Sequence, residues 1–146
     1  MEKLSTNNDA ELILKLYELR TEPTMREARN WITTEFWPTS AEEFFVVQRG
    51  RGTKENAYLR QVTSYWEMAA AFVLHGCLSP ELFIDCNGEN IFILAKLDSI
   101  IHEITQEQPG FLAKTREIVR KYPDAAAAYE RALKGIARSR PALQKS

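Results

Sequence analysis

Cysteine is scarce in this sequence, with two residues among 146. Small secreted domains that depend on disulfides carry many more, so the count excludes a disulfide-stabilised scaffold. The first twenty residues hold more acids than bases, and Lys15 and Glu18 interrupt their apolar positions, which is not the pattern of a secretory signal. We therefore expect reduced thiols and a cytoplasmic protein.

Long hydrophobic runs and charge of one sign are missing as well. No uninterrupted apolar stretch approaches the roughly eighteen residues that a membrane-spanning helix requires, so we predict no membrane span. The 19 basic residues balance 20 acidic ones, and the net charge is −1. A nucleic-acid-binding domain normally carries a clear basic excess, so the composition argues against nucleic acid as a partner.

The sequence has no useful length of alternating apolar and polar residues, the pattern that predicts β-strands. Capping residues and apolar residues at helical spacing recur along the chain instead. Two apolar stripes run through the longest helical segment, at 53–75, which indicates burial on most of its sides. Gly76 follows it and can end it in the left-handed conformation. The sequence predicts an all-α fold, a single-domain irregular bundle of seven or eight helices around this central helix. The predicted domain covers 1–140, and 141–146 form a frayed tail.

The remaining helix boundaries follow from capping residues. Asn8 with Glu11, and Thr24 with Glu27, have the spacing of capping boxes and predict two helix starts. Apolar residues at helical spacing predict one continuous helix over 89–106.

Several of these segments together resemble a known family. The stretches "YELRTEPTMREARNWI", "EFWP" and "LRQVTSYWEMAAAFVLHGCLSPELF" are similar to a family of small helical bacterial proteins classed as a domain of unknown function. The likeness spans about residues 11–105 and rests on P-x-M-R-E-A-R and R-x-V-x-x-Y-W-E motifs. The resemblance implies an all-helical fold and a bacterial origin, and it implies no activity.

Both cysteines lie close to a histidine and a carboxylate, as His75–Gly76–Cys77 and Asp85–Cys86. A zinc site needs three or four such ligands in close pairs, and a thiol nucleophile needs a lowered pKa. Cys77 follows a helix C-terminus, where the helix dipole disfavours a thiolate. We expect no metal, no cofactor and no catalytic cysteine, with both cysteines acting as small apolar residues that flank a short helix.

Three polar residues share one face of the central helix at spacings of four and three, namely Arg60, Ser64 and Glu67. Charges on a mostly buried helix need partners. They could line a ligand pocket, or Glu67 could pair with Arg26 or Arg29 in a structural network. The sequence favours the network, and these three remain the candidate ligand-binding residues.

Two basic regions are candidates for anion binding. The loop "RGRGTK" places Arg49, Arg51 and Lys54 just before a helix N-terminus, although it lacks the phosphate-loop pattern. A solvated loop is the favoured interpretation. The segment 108–146 holds nine bases against three acids, and its helices could offer a basic face to nucleic acid or pack on the acidic segment 76–107.

No motif indicates catalysis, so the sequence leans against an enzyme. Large aromatic residues are concentrated in the N-terminal half, and some are expected to lie exposed at an interface; they are Trp31, Phe36, Trp37, Phe44 and Phe45. We therefore expect a protein–protein interaction module that binds itself or another protein. The alternative is a small-molecule-binding protein or hydrolase-like enzyme with a pocket beside the central helix.

Overall fold

A computed structural model describes the backbone of residues 4–144 and the side chains of residues 4–139. This part of the chain is all-α, with nine α-helices, one π-helical turn and no strand. In chain order they are α1 (Asn7–Arg20), α2 (Pro23–Asn30), the π-turn (Trp31–Glu35), α3 (Ala41–Gln48), α4 (Lys54–Leu74), α5 (Pro80–Cys86), α6 (Glu89–Lys96), α7 (Ile101–Glu107), α8 (Ala113–Lys121) and α9 (Pro123–Gln144). The predicted fold class is confirmed. The predicted frayed tail lies partly outside the described residues.

The predicted central helix is α4. The Thr53 hydroxyl accepts the backbone N–H of Asn56 and caps its start, and the helix ends at His75 before left-handed Gly76 (φ 79°). Helices α2, α3, α5 and α8 and the π-turn pack around α4. Its apolar residues therefore form the middle of the core, with Val62, Trp66 and Ala69 almost fully buried.

Two predicted helix starts were each wrong by two residues. Helix α1 begins with a capping box between Thr6 and Asp9, and Asn8 and Glu11 lie inside the helix. Helix α2 begins where the Glu22 carboxylate accepts the backbone N–H of Met25, with Pro23 at its first position. Proline suits this position because its missing N–H has no partner in the helix anyway.

The single helix predicted over 89–106 is two helices, α6 and α7. Between them the N–H of Leu97, Asp98 and Ile100 each bonds the carbonyl three residues back. This tighter turn buries both Leu97 and Ile100 and leaves Asp98 exposed, where its carboxylate accepts the hydroxyl of Tyr129 on α9. The apolar spacing continues across the turn, which is why the break is invisible in the sequence.

The expectation of exposed N-terminal aromatics was also wrong. Trp31, Phe36, Phe44 and Phe45 are buried, and the Phe36 ring stacks on Trp31 and makes a tilted contact with Phe44. Trp37 is half-buried with its ring edge against Phe92. These rings fill the core beside α4, and the exposed large apolar side chains lie elsewhere.

Candidate functional site

Both cysteines lie at the surface, so the expectation that they act as small apolar residues was wrong. Cys77 and Cys86 are free and exposed; Cys77 lies in the loop before α5, and Cys86 is the last residue of α5. Within the described part of the chain, no group of three or more His, Cys, Asp or Glu side chains could hold a metal ion. The Ser79 hydroxyl accepts the backbone N–H of Leu82 and caps the start of α5.

The structure brings Arg60, Ser64 and Glu67 to one groove of about 650 Å³ between α4 and the loop before α8. The Glu67 carboxylate is already bound there. It accepts the backbone N–H of Lys114 and of Thr115, each at 2.9 Å, and the Thr115 hydroxyl at 2.7 Å. Glu67 therefore caps the N-terminus of α8 from a neighbouring helix.

The other two groove residues have local partners, and the predicted arginine partner of Glu67 was wrong. Arg60 Nε donates to Asn56 Oδ1 at 2.9 Å, and the Ser64 hydroxyl donates to a carbonyl of its own helix. Arg29 instead binds Glu89 at 2.9 Å. Glu67 instead binds the start of α8, where N–H groups that have no partner within the helix attract a carboxylate.

In the candidate anion-binding loop, Arg49 and Lys54 contact other side chains of the protein, and Arg51 is exposed. Arg49 binds the Glu107 carboxylate and lies 4.4 Å from the centre of the Phe45 ring. Lys54 lies 5.9 Å from the Tyr58 ring centre. The first turn of α4 is capped by the Thr53 hydroxyl, so the helix start is occupied by a residue of the chain itself.

Sequence reasoning missed a buried lysine, Lys96, at the end of α6. Its Nζ donates to the carbonyl oxygens of Ile32 and Phe36, the latter at 2.6 Å, and lies 4.7 Å from the centre of the Trp37 ring. Burial lowers the pKa of Lys96 to about 7, although nearby Glu89 acts to raise it. The two carbonyls belong to the π-turn and its end, so Lys96 holds this irregular turn in place. The sequence does carry one signal for this buried lysine, because Lys96 is the one charged residue inside the apolar run "IFILAKL".

A second cavity of about 600 Å³ lies between the end of α4, α5 and the junction of α8 with α9. Apolar side chains form part of its wall, and Glu81, Lys121 and Asp124 lie among its lining residues. All three are exposed, so no buried polar group is available to orient a ligand.

Helix α1 carries an apolar face that is covered at Ile13, which packs against the core, and largely exposed at Leu14 and Tyr17. The face consists of Ala10, Ile13, Leu14 and Tyr17, which lie at the i, i+3, i+4, i+7 spacing of one helix side. Leu14 is 64% exposed and Tyr17 57% exposed, whereas Ile13 is half-buried. We call these four residues the α1 face.

Polar contacts hold α1 in position on the bundle. The buried Asp9 carboxylate accepts the backbone N–H of Thr6 at 2.7 Å and that of Ser79 at 2.8 Å, which joins the starts of α1 and α5. The Tyr65 hydroxyl donates to the Leu16 carbonyl. Burial raises the pKa of Tyr65 to about 12, so this hydroxyl stays a donor. The α1 face is thus presented on an anchored helix.

Comparison with known proteins identifies the family and nothing more specific. Residues 5–131 match the family described as a domain of unknown function (DUF4760), so the chain belongs to that family. No curated protein and no solved structure matches the chain. Among the described residues, no helix is long and apolar enough to cross a membrane.

Proposed function

We propose that this protein is a non-enzymatic protein–protein interaction module and that the α1 face is its contact surface. The observation that supports this is the exposure of Leu14 and Tyr17 side by side on a helix that is anchored at both ends. Large apolar side chains grouped on one exposed helix face are typical of partner-binding surfaces. Tyr17 adds the aromatic character that interface centres favour, and the Arg20 guanidinium lies 5.2 Å from its ring centre.

The contacts of Glu67 weigh against the small-molecule alternative. A ligand in the groove beside α4 would need free polar groups to orient it. Both carboxylate oxygens of Glu67 are occupied by α8, and Arg60 and Ser64 are exposed. The groove therefore offers a ligand no polar group that is both buried and available.

Site-specific photo-crosslinking in cells tests the proposal. A photoreactive amino acid replaces Tyr17, and in a matched variant it replaces Met68, which is 40% exposed on α4 and lies outside the α1 face. We expect a discrete crosslinked protein at position 17 and none at position 68. The proposal also requires that Leu14→Glu in the position-17 variant abolishes the adduct.

Mass spectrometry of the adduct identifies the partner. Absence of any adduct at position 17, or equal adducts at both positions, would show that the α1 face is not a specific contact surface and would overturn the proposal.

A further inference from the structure

We infer that Lys96 and Trp37 form a pH-sensitive latch and lid at the end of the π-turn. The lid is closed while the Lys96 amine is neutral, and protonation of this amine favours opening. Three features of the structure support this device: the hydrogen bonds of the π-turn, the burial of Lys96, and the rings that cover its amine. The device is independent of the α1 face.

Lys96 binds a carbonyl that the π-turn leaves open. In a regular α-helix the backbone N–H of Phe36 would bond the carbonyl four residues back, that of Ile32. Here it bonds the Trp31 carbonyl at 2.9 Å, which is the wider pattern of a π-helix. The Ile32 carbonyl accepts Lys96 Nζ instead, and Nζ also donates to the Phe36 carbonyl at 2.6 Å. An amine that has lost one of the three ammonium protons keeps two N–H donors, so a neutral Lys96 can bind both carbonyls.

Trp37 forms the lid over this amine. Its ring centre lies 4.7 Å from Lys96 Nζ, and the Phe92 ring, 5.9 Å from the same atom, meets the Trp37 ring edge-on. Both rings are half-buried, whereas Lys96 is 2% exposed, so the rings shield the amine from solvent. The Trp37 indole N–H donates to the Thr34 carbonyl at 3.2 Å, which ties the lid to the turn that Lys96 holds.

Burial makes the closed state sensitive to the charge on Lys96. A buried ammonium loses its hydration, and burial therefore lowers the pKa of Lys96 from 10.5 to about 7, although Glu89 acts to raise it. In an open state in which the amine reaches water, the pKa would return toward its ordinary value. Protons therefore favour the open state. Opening should become more favourable as the pH falls toward 7, and it should level off below 7, where both states are protonated.

Charged groups on the elements that pack against α6 and the π-turn have other partners. Burial raises the pKa of Tyr129 on α9 well above its ordinary range, so this hydroxyl keeps its proton between pH 7 and 10 and stays bound to Asp98. Glu35, at the end of the π-turn, is exposed. The remaining contacts are Glu89 with Arg29 of α2, Glu117 with Arg120 on α8, and Glu67 of α4 with the start of α8.

Hydrogen exchange of the Phe36 amide measures the opening. Its rate, divided by the intrinsic rate of an exposed amide, gives the opening constant. In the native chain we expect this constant to rise by up to about tenfold per pH unit as the pH is lowered from 10 to 7, and to stay level from 7 to 6. The constant should not depend on pH in Lys96→Met. Lys134→Met, which removes an exposed lysine, should behave like the native chain.

A second measurement uses the native chain alone, so it stays informative if Lys96→Met does not fold. NMR titration of the lysine side chains should show Lys96 titrating near pH 7, and the Trp37 indole signal should shift over the same range. Titration of Lys96 near its ordinary value would overturn the inference. So would a Phe36 opening constant that is level from pH 10 to 7, or an equal change at amides throughout the chain, since that would report global unfolding and not a lid.

Discussion

Helices α1 and α4 both carry many apolar residues, and they use them in opposite ways. Helix α4 buries eight residues in the middle of the bundle, whereas α1 buries only Asp9 and Leu16 and exposes Leu14, Tyr17 and Leu19. Neighbouring helices and the π-turn surround α4, whereas α1 touches mainly α5 and α2. How much of a helix is buried therefore depends on the number of helices that pack around it, and not on its apolar composition alone.

The two helices also differ in how much of their apolar side packs. Contacts between apolar side chains hold α4, and their stabilisation grows with the apolar area that they bury. Helix α1 packs into the core through Leu16, and hydrogen bonds of Asp9 with the Ser79 N–H, of Tyr65 with the Leu16 carbonyl and of Arg20 with Asn87 add to this contact. Its exposed residues, Leu14 and Tyr17, contribute less to folding, which is why we propose them as a contact surface. The following predictions test this contrast, from the largest expected effect to the smallest.

Trp66→Ala should have the largest effect. The Trp66 side chain is 1% exposed, touches Tyr65 and Phe83, and donates its indole N–H to Glu89 at 3.0 Å. Truncation leaves a large cavity and removes one of the hydrogen bonds to Glu89, which Arg29 still binds, so we expect a loss of about 3–5 kcal/mol in the free energy of unfolding. Chemical denaturation measures it. The matched control is Met68→Ala, which should cost less than about 1 kcal/mol; similar losses for the two variants would refute the central role of α4.

Lys96 should make stability depend on pH. Its pKa is lowered on folding to about 7, so between pH 7 and its ordinary value the unfolded chain binds more protons than the folded one. Stability should therefore rise with pH in this window, by at most about 1.4 kcal/mol per unit, and be lost again as the pH falls toward 7. Denaturation curves from pH 6 to 10 should show this slope in the native chain and lack it in Lys96→Met. An exposed-lysine control, Lys134→Met, should keep the slope.

The position of Lys96 shows where sequence reasoning stops. The long helix, its Thr53 and Gly76 ends, and the all-α class follow from local signals that a sequence contains. The contacts of Lys96 and Glu67 depend on which helix end lies opposite them, and that is decided by packing between distant segments. The same limit explains Leu19, which has helical spacing with Leu12 and Leu16 but faces solvent. Spacing shows which residues share one side of a helix, but it does not show which other helix packs against that side.

Glu67→Ala should cost about 1–3 kcal/mol, because α8 loses three hydrogen bonds at its start. Glu67→Gln keeps an amide oxygen as an acceptor and should cost less. Hydrogen exchange should show faster exchange of the Lys114 and Thr115 amides in the alanine variant. If stability and exchange are unchanged in both variants, Glu67 has no capping role and the groove again becomes a candidate ligand site.

Asp9→Ala should cost about 1–2 kcal/mol and loosen α1 specifically. The substitution removes the acceptor for the Thr6 and Ser79 N–H groups, and a lost helix cap has this typical cost. Hydrogen exchange should increase in α1 and at Ser79 while α4 stays protected. Uniform loss of protection in both helices would mean that α1 is an integral part of the core and would weaken the contrast.

Leu14→Ala should have the smallest effect on folding. Leu14 and Leu16 are the same residue type two positions apart on one helix, yet Leu14 is 64% exposed and Leu16 is 2% exposed. We expect Leu14→Ala to change the unfolding free energy by less than about 0.5 kcal/mol and Leu16→Ala to lower it by about 2–4 kcal/mol. Chemical denaturation of the two variants under the same conditions measures both changes. A large folding cost for Leu14→Ala would show that the α1 face is needed by the bundle itself.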